Sequence, residues 1–512
     1  MDDAQVAQGL RLMGHSVSDF ISSQIAQDIC VRDAATARID GTISSFGTAY
    51  VLTLQAVNCK NGATLAREQS QAKDKEHVLQ AVDKAATAMR AKLGESLASI
   101  EKLTRPLDEF TTLSLEALQN HAKGHILEAQ GQFLASIPFF QRATELDQNF
   151  AMAYMGLSIA YNNAGDIPRS NEHQRKAFAL IDRVSEFERL SVAARYYWQV
   201  AGELDKAIDT YRERSVSYPR EWDDHSEASV LYRTEGQFER AIQEAQTAVR
   251  LEPRVEPPHR NLVSAYIVSD RLEDAKKALA EARALGFDSS RLHQRELEIA
   301  YIEGNQTAAD REVQWYAGRP EEYISFGLQA SNADALGRRP EASKFYRRAA
   351  ESARQLGLKD VAFDFQDADT LAEAAVGNCQ AARRAGRPAL ALALCGDAAG
   401  AEKLASEKTK QQPDGTLWNA VQLPTIRAAS ELRRDRPAVA IEMLASAAPY
   451  ERAFPEAVYL RALAYLRLSK IPEAAVEFHK ILDHKGANWG VFYALSGDGF
   501  ARATELAGNK QK

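Results

Sequence analysis

The chain of 512 residues holds four cysteines, and no Cys-x-x-Cys occurs among them. That excludes a disulfide-dense scaffold and a cysteine-based zinc framework. Nowhere do about eighteen apolar residues run together, so no segment reads as a membrane-spanning helix and no direct membrane insertion is expected. The opening MDDAQVAQGLRLMG lacks the charged-then-apolar order of an export signal. The expectation is therefore a chain that is soluble as encoded, and cytoplasmic by the absence of a signal. An excess of basic charge is missing as well: 63 Lys and Arg stand against 70 Asp and Glu, a net −7. Nucleic acid is not an expected partner on that balance.

Signatures of catalysis are also missing. A protein kinase needs a Gly-rich loop, a strand lysine, a His-Arg-Asp loop and Asp-Phe-Gly. The string FDFQD at 363–367 lacks the glycine. No P-loop, Gly-x-Ser-x-Gly, His-Glu-x-x-His or dinucleotide fingerprint occurs. Gly497-Asp498-Gly499 has neither the third glycine nor the βαβ setting of such a fingerprint. The expectation is a non-enzymatic chain with no cofactor.

What is present is an internal period. Hydrophobic residues make up 45% and charged residues 26%, a balance that folds. Ala207, Ala241, Ala275 and Ala309 follow one another at 34 residues. Gly202 and Gly236, Pro219 and Pro253, and Tyr232 and Tyr266 keep the same step, which returns from Ser136 to Ser170 and from Ala440 to Ala474. Two helices of about 12–14 residues and two short turns fill such a period. A small residue in the second helix lets the pair approach. A large one four places on fills the gap between helices: Phe140, Tyr211, Leu279, Tyr346 and Phe478. Pro168, Pro340 and Pro472 fall in the first turn of a second helix, where a missing N–H is harmless.

This pattern resembles the tetratricopeptide repeat (TPR). Gly124–Phe140–Ala143, Tyr154–Leu157–Tyr161–Ala177 and Gly236–Ala241–Ala248–Pro253 carry the likeness. The fold class expected is mainly α: a right-handed α-solenoid of TPR-like helical hairpins, about ten units over 113–490, degenerate at 361–420. The first hundred residues differ. Ser18 can cap a helix with Ile21, Ile25 and Ile29 on one stripe. Alternation then takes over at Ala37, Ile39 and Ile43, and again at Tyr50, Leu52, Leu54 and Ala56. Ser45-Phe46-Gly47-Thr48 is a turn, and Asn61-Gly62 opens a third strand near Thr64–Glu68. A helix follows through Val78, Val82, Ala86, Met89 and Leu93. The reading is a small N-terminal α/β domain, helices on an antiparallel meander, over 1–100. A sheet this small wants another strand, so the domain is expected to be N-terminally incomplete. Residues 101–112 form a linker, and 491–512 a shortened C-terminal tail.

A second likeness is more specific. The blocks RLMG, AQDIC, DGTISSFGTAYVLTLQAVNCKNGATLAREQ, KLGESLASI, IPFFQRATELDQNFAMAY, LPTIRAASEL, KILDHKG and YALSGD follow one another along the chain. In this order they resemble the C-terminal, non-kinase region of serine/threonine protein kinases typical of acidobacteria. In that family a cytosolic kinase domain precedes a membrane helix, a small α/β domain and a TPR array. The resemblance implies a sensing or scaffolding role in bacterial signalling, a kinase domain or kinase complex as a possible partner, and an extracytoplasmic position when fused to the membrane helix. The alternative it implies is a fragment or regulatory part of such a membrane kinase, since the kinase domain and membrane helix are absent from this sequence.

Candidate sites follow from these frames. His121, His125 and Glu128 are spaced by four and three on one helix face, a weak metal candidate whose plainer reading is a solvated groove edge. His225, His259 and His293 recur at 34. Equivalent helices in neighbouring units lie about 8–10 Å apart, too far for one shared ion, so packing between units is the expected use. Cys30 and Cys59 could bridge in an oxidising compartment, which the family topology implies, or rest as buried hydrophobes in a reducing one. Cys379 and Cys395 are expected to be free thiols. First helices line the inside of a stacked array, and their positions 2, 5, 9, 12 and 13 face the groove. That names Met155, Asn162, Asn163, Arg189, Tyr196, Gln199, Arg233 and Arg260, with Val192, Ser226, Ser264 and Ile267 among their neighbours. The expected ligand is a protein or peptide lying along this face, since Arg grips carboxylates and aromatics anchor interfaces.

Overall fold

The computed structural model describes residues 21–32, 35–95, 112, 114–129 and 132–509, with Val6, Leu10 and Met13. Ser18 and nearly all of the expected linker at 101–112 lie outside the described residues. The chain divides into two compact units, Met1–Tyr196 and Tyr197–Lys512. That division falls within the helical region, beyond the linker where the sequence changes character.

In the first unit, helix α1 (Ser23–Arg32) precedes strands β1 (Ala37–Phe46), β2 (Ala49–Asn58) and β3 (Thr64–Ala72), paired antiparallel in that order. Phe46 pairs with Ala49 across a turn that needs Gly47 at φ +62°. The second turn uses Gly62 at φ +69°, with Asn58 Oδ1 accepting from the Lys60 amide at 2.8 Å. Helix α2 (Val78–Lys92) covers β2 and β3, closing a core of Leu52, Ala72, Val78 and Ala81 that extends to Ala56, Ala66 and Met89. Ile39 and Ile43 face the same side as Ala56 and Leu52, yet they are 57% and 55% exposed because α2 does not reach β1. Cys30 and Cys59 are bonded, with Cα atoms 5.6 Å apart, which ties α1 to the end of β2.

Helical hairpins follow: α3 (Leu115–Ala129) with α4 (Phe133–Leu146), then α5 (Ala151–Asn163) with α6 (Ile167–Ala179), then α7 (Glu186–Tyr196). The packing rule is large against none. Phe140 of α4 is fully buried. A Cβ on Gly124 or Gly156 would come within 2.7 or 2.5 Å of its ring. Both facing helices therefore reach the ring only because they offer a bare backbone there.

The second unit continues the pattern with α8 (Leu204–Ser217), α9 (Trp222–Thr234), α10 (Phe238–Leu251), α11 (Glu256–Val268), α12 (Leu272–Ala284), α13 (Ser290–Glu303), α14 (Gln306–Tyr316), α15 (Glu322–Ala335), α16 (Arg339–Gln355) and α17 (Lys359–Ala375). The degenerate stretch holds two six-residue helices, α18 (Gln380–Ala385) and α19 (Ala389–Leu394), before α20 (Ala398–Gln411). These short helices correct the expectation of free thiols. They bring Cys379, just before α18, to Cys395, just after α19, and the two are bonded with Cα atoms 5.5 Å apart. Neither residue lies on a readable repeat, so spacing alone could not pair them.

Then come α21 (Leu423–Arg433), α22 (Pro437–Met443), α23 (Pro455–Arg467), α24 (Ile471–Leu482), α25 (Lys485–Asn488) and α26 (Val491–Asn509). The expected short tail is thus mostly one 19-residue helix. It packs on α24, α23 and α15, and Gly499 lies against the buried ring of Phe478.

The second unit meets itself at a constant sequence offset. Gln412 Nε2 donates to the Val200 carbonyl at 3.1 Å, and the Thr416 amide donates to the Gly202 carbonyl at 2.9 Å. Arg452 pairs with Glu239 at 2.9 Å and lies 4.6 Å above the Phe238 ring. Asp270 accepts from the Gly486 amide at 2.7 Å and pairs with His484 at 3.1 Å. These offsets of 212–216 residues are about six repeats, so one turn of stacked hairpins brings first and last repeats side by side. Asp270 holds a telling place. Gly202, Gly236 and Gly304 occupy the equivalent turn at φ +72°, +78° and +69°, and Asp270 adopts +59° there. A carboxylate replaces the favoured glycine, and its two oxygens make the closing contacts.

Gly486 has no room for a side chain, because a Cβ there would overlap the Ile267 carbonyl. Gly486→Ala should lower stability by about 1–3 kcal/mol, read from urea unfolding. An unchanged midpoint would contradict the closure. Alkylation of the unreduced chain should label no cysteine, and four after reduction. Mass spectrometry finding label at Cys379 or Cys395 beforehand would contradict the second bond.

Candidate interaction surface

The first helices of the second unit line a shared interior face. A cavity of about 250 Å³ is bounded by Ile267 and Val268 of α11, by Arg295, Glu298, Tyr301 and Ile302 of α13, by Leu328 and Ser331 of α15, and by Gly486, Ala487 and Trp489. Trp489 is fixed there by its Nε1, which donates to Asn332 Oδ1 at 3.1 Å. The closing contacts therefore also wall this cavity.

Arg233 of α9 and Arg260 of α11 project into protein-surrounded space while each keeps part of its surface open. Burial first, and then the charges of Arg295 and Arg260, push Arg233 down to about 10, against the pull of Glu298. Burial also lowers Arg260, with Glu256 and Glu227 opposing and Arg291 and Arg295 adding repulsion. Neither guanidinium has an ion-pair partner among the described residues. Arg295 does pair, at 2.7 Å with Glu298, yet its Nε stays buried without an acceptor. Buried arginines elsewhere in this unit are matched: Arg214 meets Asp223 and Asp224 at 2.5 Å each, and Arg461 meets Glu451 and Glu477 at 2.5 Å each. The interior face thus holds two guanidiniums that make no ion pair among the described residues, with Glu298 near Arg233 and with Glu256 and Glu227 near Arg260.

The other groove positions have mixed fates. Gln199 Oε1 is buried without a partner. Val192, Ser226, Ser264 and Ile267 are buried in the packing between helices, and the Ser226 hydroxyl accepts from Asn261 at 2.9 Å. Adjacent first helices lie closer there than an open groove would allow. In the first unit, Met155 and Asn162 are half-buried, and Asn163 turns back on its own helix at the Ile159 carbonyl, 3.0 Å away. Arg189 is exposed. Tyr196 stacks on Phe178 at 3.8 Å, so its ring is engaged within the unit.

His121, His125 and Glu128 are not among the described residues whose ligand atoms converge on one point. His121 instead sits between rings, 4.7 Å from Phe150 and 5.6 Å from Phe140. Burial, with the neighbouring charge of His125, pushes it down to about 3. His125 pairs with Glu128 at 3.2 Å.

The histidines at 34-residue spacing do not meet one another. His225 and His293 each reach the second helix of their own hairpin, Nδ1 lying 2.6 Å from Glu244 and 2.6 Å from Glu312. His259 bonds the Pro253 carbonyl at 2.8 Å. Around His293 the structure gathers Glu296 and Glu312, the one three-residue group of possible metal ligands among the described residues. Glu312 lies on the second helix of the same hairpin, 19 positions after His293, the spacing that His225 and Glu244 also keep.

Family models described as tetratricopeptide repeat match residues 232–295 and 120–150. Superkiller protein 3 of Schizosaccharomyces pombe is 26% identical over 159 residues, which is 30% of this chain and 11% of that protein. The chain thus spans about a tenth of the curated relative it matches. Among solved structures, a tetratricopeptide repeat protein from Parabacteroides merdae aligns over 49% of this chain and 100% of its own, with 11% identity and a TM-score of 0.33. The type IV pilus biogenesis factor PilW aligns over 41% and 97%, with 15% identity and a TM-score of 0.32. A human IFIT1 dimer with m7Gppp-AAAA aligns over 80% and 95%, with 12% identity and a TM-score of 0.38. No helix among the described residues is long and apolar enough to cross a membrane.

His121 makes stability pH-dependent. Its folded value lies below the ordinary 6.5, so its contribution is whole above that pH and is lost as pH falls toward about 3. Between pH 7 and pH 5 the loss should reach up to about 2 kcal/mol, and His121→Leu should reduce it. Equal pH dependence in the variant, measured by urea unfolding, would refute the assignment. The chain carries tetratricopeptide repeats arranged as a TPR-like solenoid of helical hairpins with a small three-stranded sheet before them, a repeat that serves protein–protein interaction.

Proposed function

We propose that the protein is a non-catalytic interaction scaffold whose second unit receives an extended, acidic segment of a partner protein along its first helices. The observation that carries this reading is the pair of unmatched guanidiniums, Arg233 and Arg260, on the interior face. Burying cations without counter-ions destabilises a fold, and a ligand carboxylate would relieve that penalty with charge-assisted hydrogen bonds. The adjoining cavity, lined by Ile267, Tyr301, Ile302 and Leu328, offers apolar contact beside the charge. Small anchors flanked by charge complementarity are how such surfaces gain both affinity and specificity.

Within this reading, the sequence blocks that resemble the non-kinase region of acidobacterial kinases are the ground for proposing a place in bacterial signalling, with a kinase as partner. The alternative, a regulatory part of a membrane serine/threonine kinase, rests on the same blocks. Co-purification of a kinase with the full chain from its native host would favour either over a scaffold for unrelated proteins.

The binding test uses a fluorescein-labelled glutamate-rich peptide followed by anisotropy, with a lysine-rich peptide and a single-stranded RNA as comparisons. Arg233→Gln with Arg260→Gln should weaken the acidic peptide about tenfold or more, roughly 1.4 kcal/mol. The double variant's melting point should be unchanged or higher, because like charges are removed. Preference for RNA, or equal binding by the double variant, would overturn the proposal.

A further inference from the structure

We propose that His293, Glu296 and Glu312 form a binding site for a divalent transition-metal cation of the zinc class, through His293 Nδ1 and one carboxylate oxygen of each glutamate. The three ligand atoms lie within 4.8 Å of one another. His293 Nδ1 is 2.6 Å from Glu312 Oε2 and 3.7 Å from Glu296 Oε2. Ligands on a tetrahedral zinc with bonds of about 2.0–2.1 Å stand about 3.3 Å apart, so small side-chain shifts would seat an ion.

The surroundings hold each ligand as a metal site requires. The other ring nitrogen, Nε2, lies 3.0 Å from Asp288 Oδ1, the carboxylate–histidine arrangement that orients a ligating imidazole. The His293 ring stacks on Trp315 at 3.7 Å, which fixes its plane. Arg283 Nε holds Glu296 by Oε1 at 3.0 Å, and Arg311 Nε holds Glu312 by Oε1 at 3.3 Å. In both glutamates the Oε2 atom is left for the site. Arg283 also pairs with Asp288. Three carboxylates against two guanidiniums leave negative charge around the imidazole. A nitrogen ligand with two carboxylate oxygens favours zinc and its neighbours over calcium or magnesium.

An internal comparison separates this site from ordinary hairpin packing. His225 and Glu244 repeat the His293–Glu312 contact at 2.6 Å, two periods earlier. The place equivalent to Glu296 is Ala228 there, and His259 has Ala278 in place of the second-helix glutamate. Among the described residues, only the hairpin of α13 and α14 brings all three ligands together.

Zinc alone, titrated calorimetrically into the full chain, should bind at one equivalent with micromolar or tighter affinity. Glu296→Gln keeps the side chain's shape and should weaken binding more than tenfold, with the metal-free melting point little changed. His225→Gln should leave binding unaltered. Cobalt(II) should give visible d–d absorption in the native chain that Glu296→Gln lacks, a readout in the native chain should any variant fold poorly. No uptake by the native chain, no cobalt spectrum, or equal affinity in Glu296→Gln would each overturn the proposal.

Discussion

A hairpin of two amphipathic helices cannot bury its apolar stripe alone, and this chain solves the problem by fitting one large ring into backbone left bare by its neighbours. Phe140 between Gly124 and Gly156, Phe365 against Gly327 and Phe478 against Gly499 repeat the device in three places. Each contact fixes how far apart two helices stand. The interhelical distance in turn sets the angle from one hairpin to the next, and repeated angles set the curvature of the stack.

Curvature has a consequence in the second unit, where hairpins about six repeats apart come into contact. The contacts are polar and directional: Gln412 to Val200, Arg452 to Glu239, Asp270 to Gly486. Hydrophobic burial within hairpins builds the arc, and these bonds select the turn at which it meets itself. Asp270 links the two levels. A left-handed turn that three sister positions assign to glycine is held here by an aspartate whose carboxylate is consumed in the closure.

The polar groups of the second unit fall into two kinds. Arg214 and Arg461 are buried and Arg339 is half-buried, each with its set of carboxylates, and they hold neighbouring helices together. Arg233 and Arg260 are surrounded by protein without such partners. A charge retained inside a fold without compensation points outward in function, because the same position could have been apolar at less expense in stability. The cluster at His293 is intermediate. It is satisfied by hydrogen bonds, yet it concentrates more acid than its bases balance.

The sequence by itself determined the repeat. A step of 34 residues, small residues at fixed places and the large residue between them are local facts, so the hairpins and the meander with its Gly47 and Gly62 turns were legible. Only the tertiary structure decided which residues from distant repeats meet. Gln412 with Val200, Arg452 with Glu239, and Asp270 with Gly486 meet across the arc, at offsets that no single repeat encodes. Val192 shows the same limit in reverse: the numbering of the repeat put it on the groove, and packing between helices buries it. Periodicity fixes the contacts of each helix with its neighbours. Contacts across the arc arise from the accumulated sum of many small angles, which a single repeat does not contain.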